Sequence, residues 1–463
     1  MKALKKLLIA NRGEIAVRII RTARDMGIRT VAVFSEGDKN APHVREADES
    51  YEIGPSPPIK SYLDIQRLID AVKRSGADAV HPGYGFLSEN ADFARAVVEA
   101  GCVFVGPSPE ILYNIESKSY CRKVSSNAGV PVIPGTLEVI KDAQELHDIF
   151  QSLGSPILLK LDKGGGGKGI QTIQHAYEID NAFEASRSMG RVAFGSPDCY
   201  VEKALPGARH IEVQFLGDHY GNYITLGERE CSIQRRYQKI IEESPSPVVS
   251  EEERKLLEAW TIQLASSMGY YNAGTIEYLR SQEGKYYFME INARIQVEHP
   301  VTEFVTGVDI VRFQLDIAAD KKLNIRQEDI QFDGHAVQAR VYAEDPVSFL
   351  PSPGIISKLR FPLIKKLKTR FDHALEEGGH VSPFYDPLLA KVIVWGSKRE
   401  RAIERLKRRL SYFEVEGTKT NIPMLLAILD SDIFVQGKYN TESLEKIMKQ
   451  YRFNEDENRY LRI

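Results

Sequence analysis

The sequence predicts a mixed α/β and α+β protein: an N-terminal Rossmann-like parallel-sheet domain, a central region of strands with alternating polarity, and a β-rich C-terminal domain. Three observations predict it. Helix-then-strand units recur through the first quarter of the chain, a hairpin with one wholly polar face spans 275–298, and after residue 346 short strands and a single basic helix take over. At 463 residues the chain exceeds one simple core, so several domains are expected.

LLIAN at 7–11 reads as a buried strand, 13–27 as an amphipathic helix stopping at Gly27, and TVAVFS at 30–35 as the next strand. YLDIQRLIDAVKRSG then ADAV, and ARAVVEAG then CVFV, repeat the unit. Such units imply a parallel sheet covered by helices on both faces. The first turn, Asn11-Arg12-Gly13, lacks the spaced glycines of a dinucleotide site, which disfavours a nicotinamide or flavin enzyme. HPGYGFLSEN at 81–90 follows a strand, where open α/β sheets place ligand loops, but its glycines and proline suit a structural turn equally well.

LLKLDKGGGGKGI at 158–170 holds four glycines between Lys163 and Lys168, leaving backbone N–H groups free to approach an anion. No Ser or Thr follows the lysine, so it is not a Walker P-loop. A strand ending at Lys160 precedes the run, which favours a phosphate-binding loop over a linker.

From 205 to 330 the chain reads as alternating strands with a helix at 251–269. TIEYL and KYYFMEINARIQVE flank the polar turn RSQEG as a hairpin. If Arg280 pairs with Lys285, Glu277 lies diagonally across from Glu290 on one face. Two such carboxylates repel unless protonated or bridged by a cation, and with Asn292 they match magnesium's preference for oxygen ligands. Along the same polar face Arg294 offers a fork for a carbonate-like anion, Gln296 a donor, and Glu298 a general base. Arg340, near Glu344 and Asp345, reads equally well as half of a surface salt bridge.

A formal charge of -3 gives no global field for nucleic acid or anionic membrane, and no stretch reaches the roughly 20 apolar residues of a membrane span. Four scattered cysteines form neither a zinc pattern nor a disulfide scaffold, so a cytoplasmic location is expected. The helix at KRERAIERLKRRL puts Ala402, Ile403, Leu406 and Leu410 at helical spacing and reads as amphipathic with a solvated basic face. The tail after Gln450 reads as loosely held.

IANRGEIAVRIIR, HPGYGFLSEN, KGGGGKGI, RHIEVQ, ERECSIQRRYQK, MEINARIQVEHPVTE and RVYAEDP closely resemble the biotin carboxylases, members of the ATP-grasp superfamily. The resemblance implies an N-terminal domain at 1–115, a central ATP-grasp domain at 116–331 with a mobile lid at about 132–204, a C-terminal domain at 332–447 and a tail at 448–463. It implies that ATP activates bicarbonate as carboxyphosphate and that the carboxyl group passes to biotin carried by another protein. By resemblance Lys118, Lys160, Gly166, Gly167, Glu202, Lys203, Leu205, His210, Gln234 and Tyr237 hold ATP. Glu277, Glu290 and Asn292 hold two magnesium (or manganese) ions, the two glutamates also lying in the ATP site. Lys239, Arg294, Gln296 and Val297 form the bicarbonate cradle, Glu298 is the base, and Tyr84 and Arg340 face biotin.

Leu161, Asp162 and Lys163 depart from the small residues usual before the glycines, and Tyr237 from a usual His or Asn. The expected partners are a biotin carboxyl carrier protein and a carboxyltransferase on other chains, because Met448-Lys449 lacks the setting of a biotinylation site. A homodimer is also expected. The expected reaction is the first half of acetyl-CoA carboxylase, with pyruvate, propionyl-CoA or 2-oxoacid carboxylases as alternatives. The competing functions are another ATP-grasp ligase and an inactive regulatory subunit.

Overall fold

The computed structural model describes residues 4–164, 167, 169–362, 368–454 and 459–462. Its first sheet is parallel, in the order β3-β2-β1-β4-β5, from β1 (Lys6–Ile9), β2 (Arg29–Phe34), β3 (Glu49–Glu52), β4 (Ala79–His81) and β5 (Val103–Phe104). The order reverses at β1, where such sheets open a crevice beyond the strand ends. Asn11 and the 81–90 loop sit there. Asn11 Nδ2 donates to the carbonyls of Pro82 (2.8 Å) and Tyr84 (2.7 Å), so the turn that is no dinucleotide fingerprint braces the neighbouring loop instead. Gly83, at φ +64°, must be glycine: a Cβ would stand 2.9 Å from Asn11 Nδ2.

A three-stranded antiparallel sheet, β7-β6-β8, follows: β6 (Ile157–Leu161), β7 (Ile170–Ile173) and β8 (Cys199–Lys203). Two helices, Ala143–Leu153 and Ile179–Phe194, cover it, and Leu146, Leu159, Phe183 and Val201 give it a core of its own.

The largest sheet is antiparallel and eight-stranded. Its order is β13-β12-β9-β10-β11-β14 followed by the strands Leu388–Gly396 and Thr369–His373, with β9 (Arg209–Gly217), β10 (Tyr223–Arg235), β11 (Gln238–Ser244), β12 (Asn272–Arg280), β13 (Tyr286–Asn292) and β14 (His335–Tyr342). One continuous ladder therefore crosses from the central region into the C-terminal one. Ile211, Val213, Phe215 and Ile276 bury the apolar face against the helix Glu251–Ser267, which a Ser250–Glu253 capping box starts. His210, Glu212 and Gln214 alternate with them onto the other face, yet every residue of β9 is buried. That polar face is enclosed rather than solvated, so its charges must be paired.

Three expectations change. Arg280 pairs with Tyr286, not Lys285, and a bulge at Met289 sets Glu277 directly opposite Glu290 instead of diagonally. The strand ends at Asn292, so 293–298 is an irregular run leading into the helix His299–Thr306. The described tail residues form a hairpin, Tyr451–Asn454 with Arg459–Arg462, with Tyr451 buried. The basic helix is found at Arg399–Ser411 with Ala402, Ile403, Leu406 and Leu410 inward.

Glu243 joins this sheet to the C-terminal helices. It is buried, 2.5 Å from His335 Nε2, accepts from Arg399 Nε at 2.7 Å and Nη2 at 2.9 Å, and accepts from Tyr439. Burial alone would raise its pKa, but Arg399 and His335 lower it from 4.5 to about 2. Stability from this group is full above the unfolded value and is lost as pH falls through the folded one. Glu243→Gln is expected to cost about 3 kcal/mol at neutral pH in urea unfolding, with a shallower acid limb below pH ~4.5.

Candidate active site

Five strands and one irregular run aim polar groups into the enclosed face. His210 comes from β9, Lys239 from β11, Glu277 from β12, Glu290 and Asn292 from β13, and Arg340 from β14. Arg294, Gln296 and Glu298 come from the run after β13, which also carries the Val297 carbonyl.

Lys239 is the hub. Its Nζ donates to Glu212 (2.5 Å), Glu277 (2.9 Å) and Glu298 (2.6 Å), and these three carboxylates raise its pKa well above the usual value against the opposing effect of burial. Burial would push Glu277 up, but Lys239 and then His210 hold it well below the carboxylate range. Asn292 Nδ2 (2.9 Å) and Gln296 Nε2 (2.7 Å) also donate to Glu277. His210 Nε2 lies 2.7 Å from Glu277 Oε2.

Glu298 sits between two cations, Lys239 on one oxygen and Arg340 Nη2 at 3.0 Å on the other. They overcome burial and keep it ionised. Arg340 is held by Glu242, not by the sequence neighbours expected: Glu344 binds Arg235 at 2.7 and 2.8 Å, and Asp345 binds Lys419. Burial and the nearby Glu298 push Glu242 up to about 7 despite Arg340. Arg294 is pinned by Glu89 (3.0 Å) from the 81–90 loop and by Asn292 Oδ1 (2.8 Å). Tyr84, in that loop, donates its hydroxyl to Glu14.

At the other end Lys118 stands 3.1 Å from Glu290, which raises the lysine's pKa against burial. Each member of the carboxylate pair thus has its own cation. The side chain of Glu202 is fully buried between Arg122 (2.7 Å) and Lys160. Lys203 turns away, donating to the carbonyls of Leu153 (2.9 Å) and Gly154 (2.8 Å) at a helix C-terminus. Leu205 is half-buried between β8 and β9, and Gln234 stands opposite Lys239 in the ladder.

Gly167, at φ +74°, approaches so near Tyr237 that a Cβ would meet the ring at 2.5 Å, so Gly167 abuts the β10–β11 turn. Gly166 lies outside the described residues. The unusual Leu161, Asp162 and Lys163 fasten the base of that loop. Leu161 fills the space over Gly169 and Gly190, Asp162 accepts from the Ser119 N–H at 2.7 Å, and Lys163 pairs with Glu116 at 3.0 Å.

Sequence reasoning missed Glu212, Arg229, Glu242 and Glu89. Period-two alternation from His210 in RHIEVQ would have placed Glu212 on the site face. Arg229 binds Glu212 and Gln214 on β9, Thr275 on β12, Gln296 in the irregular run and Thr302 in the helix after it, and carries no local signal. His210, Glu212 and Glu277 bring ligand atoms within 4.8 Å of one another. With Glu290 and Asn292, the oxygen donors of this set fit a hard cation beside a polyphosphate.

A parallel-sheet domain, a glycine loop on a separately cored lid and carboxylates facing lysines on an antiparallel sheet define an ATP-grasp ligase. Family models match residues 3–112 as biotin carboxylase, N-terminal domain, 117–326 as carbamoyl-phosphate synthase L chain, ATP binding domain, and 338–446 as biotin carboxylase C-terminal domain. The chain belongs to the biotin carboxylases. It is 47% identical to the biotin carboxylase of Halalkalibacterium halodurans over 96% of this chain and 98% of that one. It is 43% identical to the propionyl-CoA carboxylase alpha chain of Ruegeria pomeroyi over 94% of this chain and 67% of that one. The biotin carboxylase domain dimer of Hydrogenobacter thermophilus 2-oxoglutarate carboxylase, solved with MgADP, ADP and bicarbonate, superposes with a TM-score of 0.93 at 43% identity, covering 96% of this chain and 98% of that one.

Proposed function

We propose that the enclosed face uses ATP to activate bicarbonate as carboxyphosphate and transfers the carboxyl group to biotin on a separate carrier protein. The observation that carries this reading is the run of ion pairs from Glu277 through Lys239 to Glu298 and Arg340, with the Lys118–Glu290 pair set beside Glu277 in the ladder. The carboxylates and Lys118 lie at the nucleotide end, and Arg340 and Tyr84 at the biotin end.

Glu277, Glu290 and Asn292 would hold magnesium, which supplies charge neutralisation for the transferring phosphoryl group. Lys239 and Arg294 would bind bicarbonate, with Gln296 and the Val297 backbone completing the cradle. In the ion-paired arrangement Glu298 is a weak base. An anion that draws on Lys239 loosens one of its two restraints and raises its basicity where the proton must leave. Arg340 would then stabilise negative charge on the biotin ureido oxygen. Closing the glycine lid excludes water from a readily hydrolysed intermediate.

The test is bicarbonate-dependent ATP cleavage by the purified chain with and without free biotin. Stimulation by biotin supports the reading, and its absence sinks it. We further propose a homodimer serving a multi-part carboxylase, with acetyl-CoA carboxylase as the first candidate and pyruvate, propionyl-CoA or 2-oxoacid carboxylases as alternatives. The carboxyltransferase that co-purifies decides among them. Glu290→Lys places a second cation beside Lys118, and magnesium-supported nucleotide affinity is expected to fall about tenfold in titrations with and without magnesium.

A further inference from the structure

Lys391, on the strand Leu388–Gly396, has a side chain 0% exposed. Its ammonium lies 3.0 Å from Glu14 Oε1 and 3.6 Å from Asp372 Oδ2, and donates to the Val297 carbonyl at 3.1 Å. Glu14 belongs to the first turn of the helix Gly13–Asp25, and its Oε1 also accepts from Tyr84. One ammonium therefore joins the N-terminal domain, the C-terminal strand and the run that carries Glu298. An enclosed ion costs several kcal/mol to desolvate, and an apolar residue would fill the space without that cost. The Val297 carbonyl shares a rigid peptide plane with the Glu298 N–H, so anchoring the carbonyl fixes the backbone from which the Glu298 side chain departs.

We propose that Lys391 is a positioning residue for proton abstraction, holding Glu298 through the Val297 carbonyl and tying that turn, through Glu14, to the loop bearing Tyr84. This inference rests on Glu298 being the base. Lys391→Met with Glu14→Gln removes both charges together and avoids a lone buried carboxylate. In the full chain this pair of changes is expected to lower kcat for bicarbonate-dependent ATP cleavage about tenfold, below the ~100-fold that a 1 Å misplacement can bring. KM for ATP and nucleotide affinity should stay within about twofold.

The deciding readout is a cycle with Glu298→Gln, since changes acting through one group are not additive. In the Glu298→Gln background the Lys391 and Glu14 changes should cause no further loss. Multiplying losses would show that they act elsewhere and overturn the inference alone. An unchanged rate in Glu298→Gln by itself would remove the base assignment and this inference with it. Lys391→Arg keeps a charge for Glu14 while moving the donor, and should melt like the parent with the same non-additive loss. If neither altered protein melts cooperatively, Lys391 serves the fold and the inference falls.

Discussion

Glu298→Gln is expected to lower bicarbonate-dependent turnover by at least about 10²-fold while leaving nucleotide affinity nearly unchanged. The carboxylate is buried, accepts from Lys239 at 2.6 Å and Arg340 at 3.0 Å, and is held ionised by both. Glutamine keeps the volume and one acceptor but cannot take a proton, and its NH2 group must face a cation. Some destabilisation will follow from that contact, so melting and turnover are to be measured on the same preparation. The nucleotide end, at Lys118 and Glu290, shares no hydrogen bond with Glu298 and should titrate normally. A variant that turns over at the parental rate would show that another group takes the proton.

The hairpin's polar face was legible because alternation is local: Glu277, Glu290 and Asn292 face the site as period two requires. The bulge at Met289 was not legible, since register depends on how β12 also pairs with β9, where Glu277 stands opposite Glu212. The irregular run after Asn292 was misread as strand for a related reason. Its alternating polarity persists although no partner strand remains, and burial of Ile295, Gln296 and Glu298 replaces ladder pairing as the constraint. Glu89 and Lys391 were not legible because the partners that tie them to the site are remote: Arg294 lies 205 positions from Glu89, and Val297 lies 94 from Lys391. Arg340 and Glu242 show the same limit. The charged neighbours of Arg340 in sequence proved irrelevant, and its real partner stands on the adjacent strand. Long-range ladder pairing decides which buried charges meet, and single-sequence periodicity reports only which face each occupies.

Lys239→Met is expected to damage stability and turnover together, through one cause. Its ammonium serves three carboxylates, Glu212, Glu277 and Glu298, none more than 3% exposed. Removing it leaves three buried anions around one apolar side chain, and breaking a buried pair costs about 3–5 kcal/mol, a large share of the ~5–15 kcal/mol that a domain has. Burial, no longer opposed by Lys239, then drives the pKa values of Glu277 and Glu298 upward. With Lys239 gone Arg340 still binds Glu298 but one of its two bound cations is lost, so the acid limb of residual turnover is expected to move to higher pH than the parent's. Glu212 offers a control because Arg229 also binds it. Adding Glu212→Gln removes one of the three anions and should recover part of the lost melting temperature without restoring turnover. Recovery of both would mean that Lys239 matters only for folding, and recovery of neither would place its main role outside this cluster of carboxylates.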